Sequence, residues 1–276
     1  MRILVTGKGT SGSWAVRGAQ LGAAMGATVK AQATLSDMRA HDVVFVVKRY
    51  SPDMAKDLRA CGRPVVLDIV DCWPQPLGNE WDRDRCIAHA SERIDGSGAS
   101  RVIYATERMQ EDIGFPGLAL HHHGRPGQAL NPIRQHVRVV GYEGNTNFLG
   151  HKRGMVEAEC ERRGWRLDVG GIAVSDIAIA TRDGIWQGYA TRHWKSNIKL
   201  ANCHITGTPC VMNRESGYEE TSSGAEYWFH DLASLRFAFD WLTDQDARRS
   251  VQEKFVQHAI TVEQSAEKLR AYLGKL

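Results

Sequence analysis

Between Lys195 and Glu220 the chain reads KSNIKLANCHITGTPCVMNRESGYEE, and the residue types in this stretch are those that hold phosphates and hydroxyls. Lys195 and Lys199 flank Asn197 at the head of an apolar helical pattern formed by Ile198, Leu200, Ala201 and Ile205. Ammonium groups at a helix N-terminus add full charges to the partial positive charge of the unpaired backbone N–H groups, which suits a pyrophosphate. The pattern breaks at Gly207 and Pro209, continues as a short strand, CVM, and ends in the paired acids Glu219 and Glu220. Carboxylates on that loop can accept from the two neighbouring hydroxyls of a ribose. A surface helix carrying ordinary solvated charges shows the same spacing, so the stretch alone leaves both readings open.

Two other groups of residues have chemistry in reach. DVVFVVK (42–48) and PVVLDIV (64–70) are continuous valine-rich runs, the pattern of strands buried on both faces of a parallel sheet. Lys48 and Arg49 follow the first run; Asp68, Asp71 and the CWPQP segment with Trp73 follow the second. In an open α/β sheet the ligand crevice lies off the C-terminal ends of the strands, which puts Asp71 where a general base would stand. A turn or helix-capping aspartate is the alternative for that position. His121, His122 and His123 are consecutive, so an extended chain cannot aim all three at one metal; one of them, with His122 as the representative, is a ligand-facing candidate. No metal site is expected.

The elements that would carry these residues read as α/β throughout. RILVTG, a glycine loop and a helix from Trp14 to Met25 open the chain as a doubly wound unit does. Gly7, Gly9 and Gly12 satisfy GxGxxG, yet the second strand, near residues 28–34, offers Gln32 where a dinucleotide site needs an acid on the ribose, and Asp37 lies too far along. Gly9 is therefore read as a close-approach surface for another ligand. A helix over 84–94, a strand over 101–106, a helix and the strand GLALHHH complete a first half. The Pro-containing stretch 124–135 then reads as a linker, and VRVVGYEGNTN restarts the strand–glycine loop–helix order, with Gly144 and Asn145 in the new loop. The expectation is two Rossmann-like domains, 1–130 and 131–276, facing a cleft, with amphipathic terminal helices strapping back on the first domain.

Composition bounds the answer without choosing it. At 276 residues, 24% charged and 42% hydrophobic, the chain is ordinary for a globular protein, and a net charge of +3 permits an anionic ligand without requiring one. Six cysteines without a CxxC pair suggest buried thiols in a reducing, cytoplasmic setting. No apolar run reaches the roughly 20 residues of a membrane span, and the N-terminus begins directly as a strand.

The run KLANCHITGTPCVM followed by GYEE resembles the donor-binding segment of GT-B glycosyltransferases: a lysine heading a helix, a Gly-x-Pro, a strand, and a loop ending in glutamate. The resemblance implies that Lys199, with Lys195 as a weaker candidate, contacts the pyrophosphate of a nucleotide sugar, and that Glu219 or Glu220 contacts its ribose. Gly144 and Asn145 would line the same site, and no cofactor beyond the nucleotide sugar, expected to be UDP-linked, is implied. Asn202 and Trp194 stand where many retaining members carry acids, which leaves the stereochemical outcome open. The chain's size and general layout are also similar to compact phage enzymes that glycosylate hydroxymethylated pyrimidines in DNA. That likeness implies a DNA acceptor near Lys48, Arg49 and Trp73, with Lys152, Arg153, Arg162 and Arg163 as further positive charge. An inverting enzyme of the GT-B fold needs a base from the first domain, for which Asp71 is the first candidate and His122 the second. A glycan or small-metabolite acceptor, or nucleotide binding without catalysis, is the alternative.

Overall fold

The computed structural model describes residues 1–70, 74, 80–183 and 188–276. They form two compact units: one of residues 1–122, 189–196 and 262–276, the other of residues 123–188 and 197–261. The division thus falls between His122 and His123, the stretch 124–135 is part of the second unit, and two later segments return to the first.

The first unit is a six-stranded parallel sheet of order β2-β1-β3-β4-β5-β6. Its strands are β1 (Ile3–Gly7), β2 (Thr28–Val29), β3 (Val43–Val47), β4 (Val65–Asp68), β5 (Arg101–Tyr104) and β6 (Gly117–Ala119). β1, β3 and β4 are buried at every position, as their unbroken apolar runs require. A π-helical segment, Trp14–Gln20, runs into α1 (Leu21–Ala24), followed by α2 (Leu35–Arg39), α3 (Pro52–Ala60), α4 (Arg83–Ser97) and α5 (Glu107–Ile113). The second strand is shorter than the sequence suggests, because Thr34 and Asp37 form a reciprocal capping box that starts α2. Asp37 is thereby committed to a helix start and to Lys30, 2.7 Å away. The predicted strand GLALHHH ends at Ala119, short of the histidines.

Within the second unit a five-stranded parallel sheet has the order β11-β10-β9-β7-β8. Its elements are β7 (Val139–Tyr142), a 3-10 turn (Thr146–Leu149), α6 (Lys152–Arg162), β8 (Arg166–Asp168), β9 (Ile177–Ala180), α8 (Ile198–Thr206), β10 (Cys210–Met212), α9 (Ser216–Glu219), β11 (Tyr227–Trp228), α10 (Leu232–Thr243) and α11 (Gln245–His258). The intervening α7 (Tyr189–Trp194) and the last helix, α12 (Val262–Leu273), belong to the first unit. Asp112 holds α7 there, accepting from Tyr189 Oη at 2.7 Å and Trp194 Nε1 at 2.9 Å. α12 contributes Ala266, Leu269 and Leu273 to the apolar layer containing Val5, Phe45 and Val66. Cys61, Cys86, Cys160, Cys203 and Cys210 are buried free thiols. Among the described residues no helix is long and apolar enough to cross a membrane.

Candidate functional site

In the second unit β7 has β8 on one side and β9 on the other, so the strand order reverses between β7 and β9. Connections leaving the C-terminal ends of these two strands diverge to opposite faces, which opens the crevice where doubly wound sheets bind ligands. The loop after β7 is Glu143-Gly144-Asn145, and that after β9 begins Thr181-Arg182-Asp183.

The first turn of α8 closes over the β7 loop. Lys199 is buried; its Nζ donates to the Glu143 carbonyl and lies 4.2 Å from the centre of the Tyr142 ring. Gly144 has φ +123°, and a Cβ built there would stand 2.6 Å from Lys199 Nζ, so both backbone and space at 144 demand glycine. One turn along α8, Asn202 donates to Glu143 Oε2 at 2.8 Å, while Arg125 pairs with Glu143 Oε1 at 2.5 Å. Asn145 accepts from the amide of Asn147 at 2.9 Å and so turns the chain into the 3-10 segment. The structure therefore brings Gly144, Asn145 and Lys199 into one corner.

Two more buried cations stand at the end of β9: Lys152, expected from sequence on a DNA-facing rim, and Arg182, which sequence did not single out. Lys152, at the start of α6, donates from Nζ to Thr181 Oγ1 at 3.2 Å and lies 5.1 Å from the Phe229 ring centre; burial lowers its pKa, opposed by Asp183 and Glu215. Arg182 pairs with Glu215 and donates to Tyr218 Oη at 3.2 Å, all three side chains being buried. Burial and the Glu215 charge raise the Tyr218 pKa well above its usual value, opposed by Arg182. In sequence Arg182 reads as an ordinary surface charge, because DIAIATR ends in an arginine as many strands do. The signal that places both cations is the sheet order, which fixes where strand ends converge.

The remaining donor candidates are less enclosed. Glu219 is exposed and pairs with Arg214 at 2.8 Å; Glu220 follows it at the C-terminal end of α9, half-buried. Lys195 is half-buried and lies in the first unit, two residues before the chain passes to α8.

The first unit has a reversal of its own, between β1 and β3. Gly9 and the pair Lys48–Arg49 come together there: the Lys8 amide donates to the Arg49 carbonyl at 2.9 Å, and a Cβ on Gly7 would stand 2.7 Å from the Val47 carbonyl. Gly9 has φ +88°, with Ala31 Cβ 2.6 Å from where its own Cβ would be. Lys48 is half-buried and Arg49 exposed. Arg17, fully buried in the π-helical segment, lies 3.6 Å from Asp68 at the end of β4 and donates to the Leu120 carbonyl. Desolvation lowers its pKa and Asp68 raises it. His122, two residues beyond Leu120, is buried. Asp71 and Trp73 lie outside the described residues. Among those described, no group of three His, Cys, Asp or Glu residues is placed to hold a metal ion.

No protein-family model matches the chain, and no curated protein matches it. Solved structures do. AviGT4, a glycosyltransferase involved in avilamycin A biosynthesis, superposes with a TM-score of 0.58 at 11% identity, covering 100% of this chain and 98% of that one. A trehalose-6-phosphate synthase gives 0.58 at 10% identity over 85% and 74% of the two chains. The fold is GT-B. The same GT-B architecture appears in a putative UDP-N-acetylglucosamine 2-epimerase from Listeria monocytogenes, with a TM-score of 0.56 at 12% identity over 100% of this chain and 96% of that one. A fold does not fix a reaction, and what this chain does must be argued from its own side chains.

Proposed function

We propose that the chain is a glycosyltransferase that moves a sugar from a nucleotide sugar, UDP-linked in the first instance, to an acceptor hydroxyl. The observation that carries this reading is the corner at the β7–β9 reversal. There a glycine that only glycine can occupy lies directly beneath a buried lysine at a helix N-terminus. Such a corner supplies a close backbone approach, a full positive charge and converging amides, the three things a diphosphate needs.

In this reading Lys199 and the amides of the Gly144–Asn145 loop stabilise the leaving diphosphate, while Glu219 or Glu220 accepts from the ribose, with Lys195 as a secondary phosphate contact. A base removes the acceptor proton, the acceptor oxygen bonds to the anomeric carbon, and the bond from that carbon to the phosphate oxygen breaks. Asp71 is the proposed base and His122 the second candidate. Nothing beyond the sugar nucleotide is required as cofactor. The favoured acceptor is a 5-hydroxymethylated pyrimidine in DNA, contacted through Lys48, Arg49, Trp73 and the surface around Gly9. What supports it is the cationic, strained turn at the β1–β3 reversal. The setting proposed is a reducing cytoplasm, that of the host if the chain is phage-encoded.

The test is a panel of sugar nucleotides incubated with duplex DNA carrying hydroxymethylcytosine, with unmodified duplex and with no acceptor, followed by mass. A hexose or pentose increment only on the hydroxymethylated duplex establishes the full reading. Transfer to a glycan or small alcohol instead keeps the transferase and removes DNA. Interconversion of free sugar nucleotides, or binding without turnover, removes the transferase.

A further inference from the structure

Arg182 sits two residues beyond β9 with only 3% of its side chain exposed, and four of its contacts run to the segment after β10. Its backbone amide donates to Asn213 Oδ1 at 3.2 Å; Asn213 Nδ2 in turn donates to Glu215 Oε1 at 3.2 Å. Its guanidinium pairs with Glu215 Oε2 and donates to Tyr218 Oη. Glu215 is the residue immediately before α9 and Tyr218 lies within it, so three side chains on one short segment are tied to one arginine.

Stability alone is a weak reason for such an arrangement. A buried ion pair rarely stabilises a fold more than apolar residues of the same volume, because desolvating both charges offsets their attraction. What the pair supplies is direction: a planar guanidinium with several fixed donors holds its partners in one orientation. Helix α9 has four residues, too few for its own hydrogen bonds to fix its orientation, and it leads directly into Glu219 and Glu220.

We infer that Arg182 is a positioning residue for nucleotide recognition: through Glu215 and Tyr218 it sets the orientation of α9 and hence of the carboxylates that meet the ribose. The inference rests on the donor-site reading above. It assigns to Arg182 no contact with the sugar nucleotide itself, and so predicts a loss specific to the ribose-bearing ligand rather than to phosphate.

The experiment is calorimetric titration of UDP and of inorganic pyrophosphate into wild type, Arg182→Met, Arg182→Lys and the double variant Arg182→Met/Glu215→Met. The single methionine variant leaves Glu215 buried without its arginine and is expected to melt early, so the decisive protein is the double variant, which removes both charges together. It should keep a thermal midpoint near wild type while its affinity for UDP falls about tenfold, the equivalent of one charge-assisted hydrogen bond. Its pyrophosphate affinity and its KM for acceptor should not move, whereas its KM for sugar nucleotide should rise with the loss in UDP affinity. Arg182→Lys, which keeps the charge and loses the fork, should fall between. A folded double variant binding UDP as wild type does overturns the inference and leaves the donor site standing. Wild type binding neither UDP nor pyrophosphate overturns the donor site, and the inference with it.

Discussion

The two α/β units each have one reversal of strand order, and the two reversals are furnished in opposite ways. At β7–β9 the cations Lys152 and Lys199 are buried, and each is held by an oxygen, Thr181 Oγ1 and the Glu143 carbonyl, while Arg182 is committed to the Glu215 carboxylate. At β1–β3 the cations at the surface are Lys8, Lys48 and Arg49, exposed or half-buried, while the buried Arg17 is turned to Asp68 and the Leu120 carbonyl. Buried cations in fixed hydrogen bonds are preorganised for one small anion, since their geometry is set before the ligand arrives. Cations on the surface steer and adapt, as suits a large or variable partner. The difference is the physical ground for proposing the donor site in the second unit and the acceptor site in the first.

The comparison breaks most visibly at Lys199. Lys199→Met should weaken binding of a nucleoside diphosphate about 100-fold, the range of two charge-assisted hydrogen bonds in a dry site. Lys48→Ala/Arg49→Ala should leave that affinity within about twofold, and should instead flatten the salt dependence of DNA binding by a slope of about 2. Titration of UDP and of duplex DNA into both proteins reads the two effects. Equal losses of UDP affinity in both would abolish the distinction between the units.

The glycines offer a matched pair. Gly144→Ala and Gly9→Ala both force a side chain into a left-handed backbone and should each cost about 1–3 kcal/mol of stability. Only Gly144→Ala also pushes the Lys199 ammonium aside, so only it should lose UDP affinity, by about tenfold. Thermal melts followed by titration at a temperature where both variants are folded separate the shared cost from the specific one.

How much of this was legible in the chain follows from what each feature depends on. The buried strands were readable because a parallel sheet covered on both faces leaves an unbroken apolar run, and Val43–Val47 and Val65–Asp68 have one. Gly144, Asn145 and Lys199 were readable because loop and helix-start chemistry is local in sequence. The places of Lys152 and Arg182 at this reversal were not, because they come from strand order and from partners such as Glu215, 33 residues from Arg182. The second strand was overextended because period alone does not reveal that Thr34 and Asp37 form a capping box. The return of α7 to the first unit depends on Asp112, 77 residues before Tyr189, a pairing no local pattern announces.

Acid should test the carboxylates that tie the second unit together. Glu159 accepts from Arg162, Arg163 and Arg236, and Glu226 from His204, Ser222 and Ser223; these bonds outweigh burial and hold both carboxyls at about 2. Both lie in the second unit. A carboxyl whose folded pKa is depressed contributes stability that is complete above its unfolded value and is lost as pH falls toward the folded one. The second unit should therefore weaken progressively from about pH 4.5 to about pH 2. Hydrogen exchange read segment by segment should show lower protection in β7–β11 of Glu226→Gln than in wild type at neutral pH, the difference closing as pH falls through that window. Unchanged protection would mean that the pair with His204 contributes nothing to the unit.

The smallest expected effect lies at the other reversal. Among the described residues only Gln32 and Lys48 have positive φ without being glycine, and both are in the first unit. Lys48, at φ 60°, is the centre of a tight turn in which the Arg49 amide donates to the Val47 carbonyl at 2.6 Å, and its own amide donates to the Asp68 carbonyl at 2.8 Å. A non-glycine residue held there stores about 1–3 kcal/mol, whereas glycine relieves the strain but adds about 0.5–1 kcal/mol of unfolded-chain entropy. Lys48→Gly should therefore raise stability by about 1 kcal/mol, seen as a higher urea midpoint with an unchanged slope, and should weaken DNA binding. Both changes together would show that the strain is kept for the side chain it presents. A stabilised variant that binds DNA as wild type does would remove Lys48 from the acceptor surface and leave the turn as a feature of the fold.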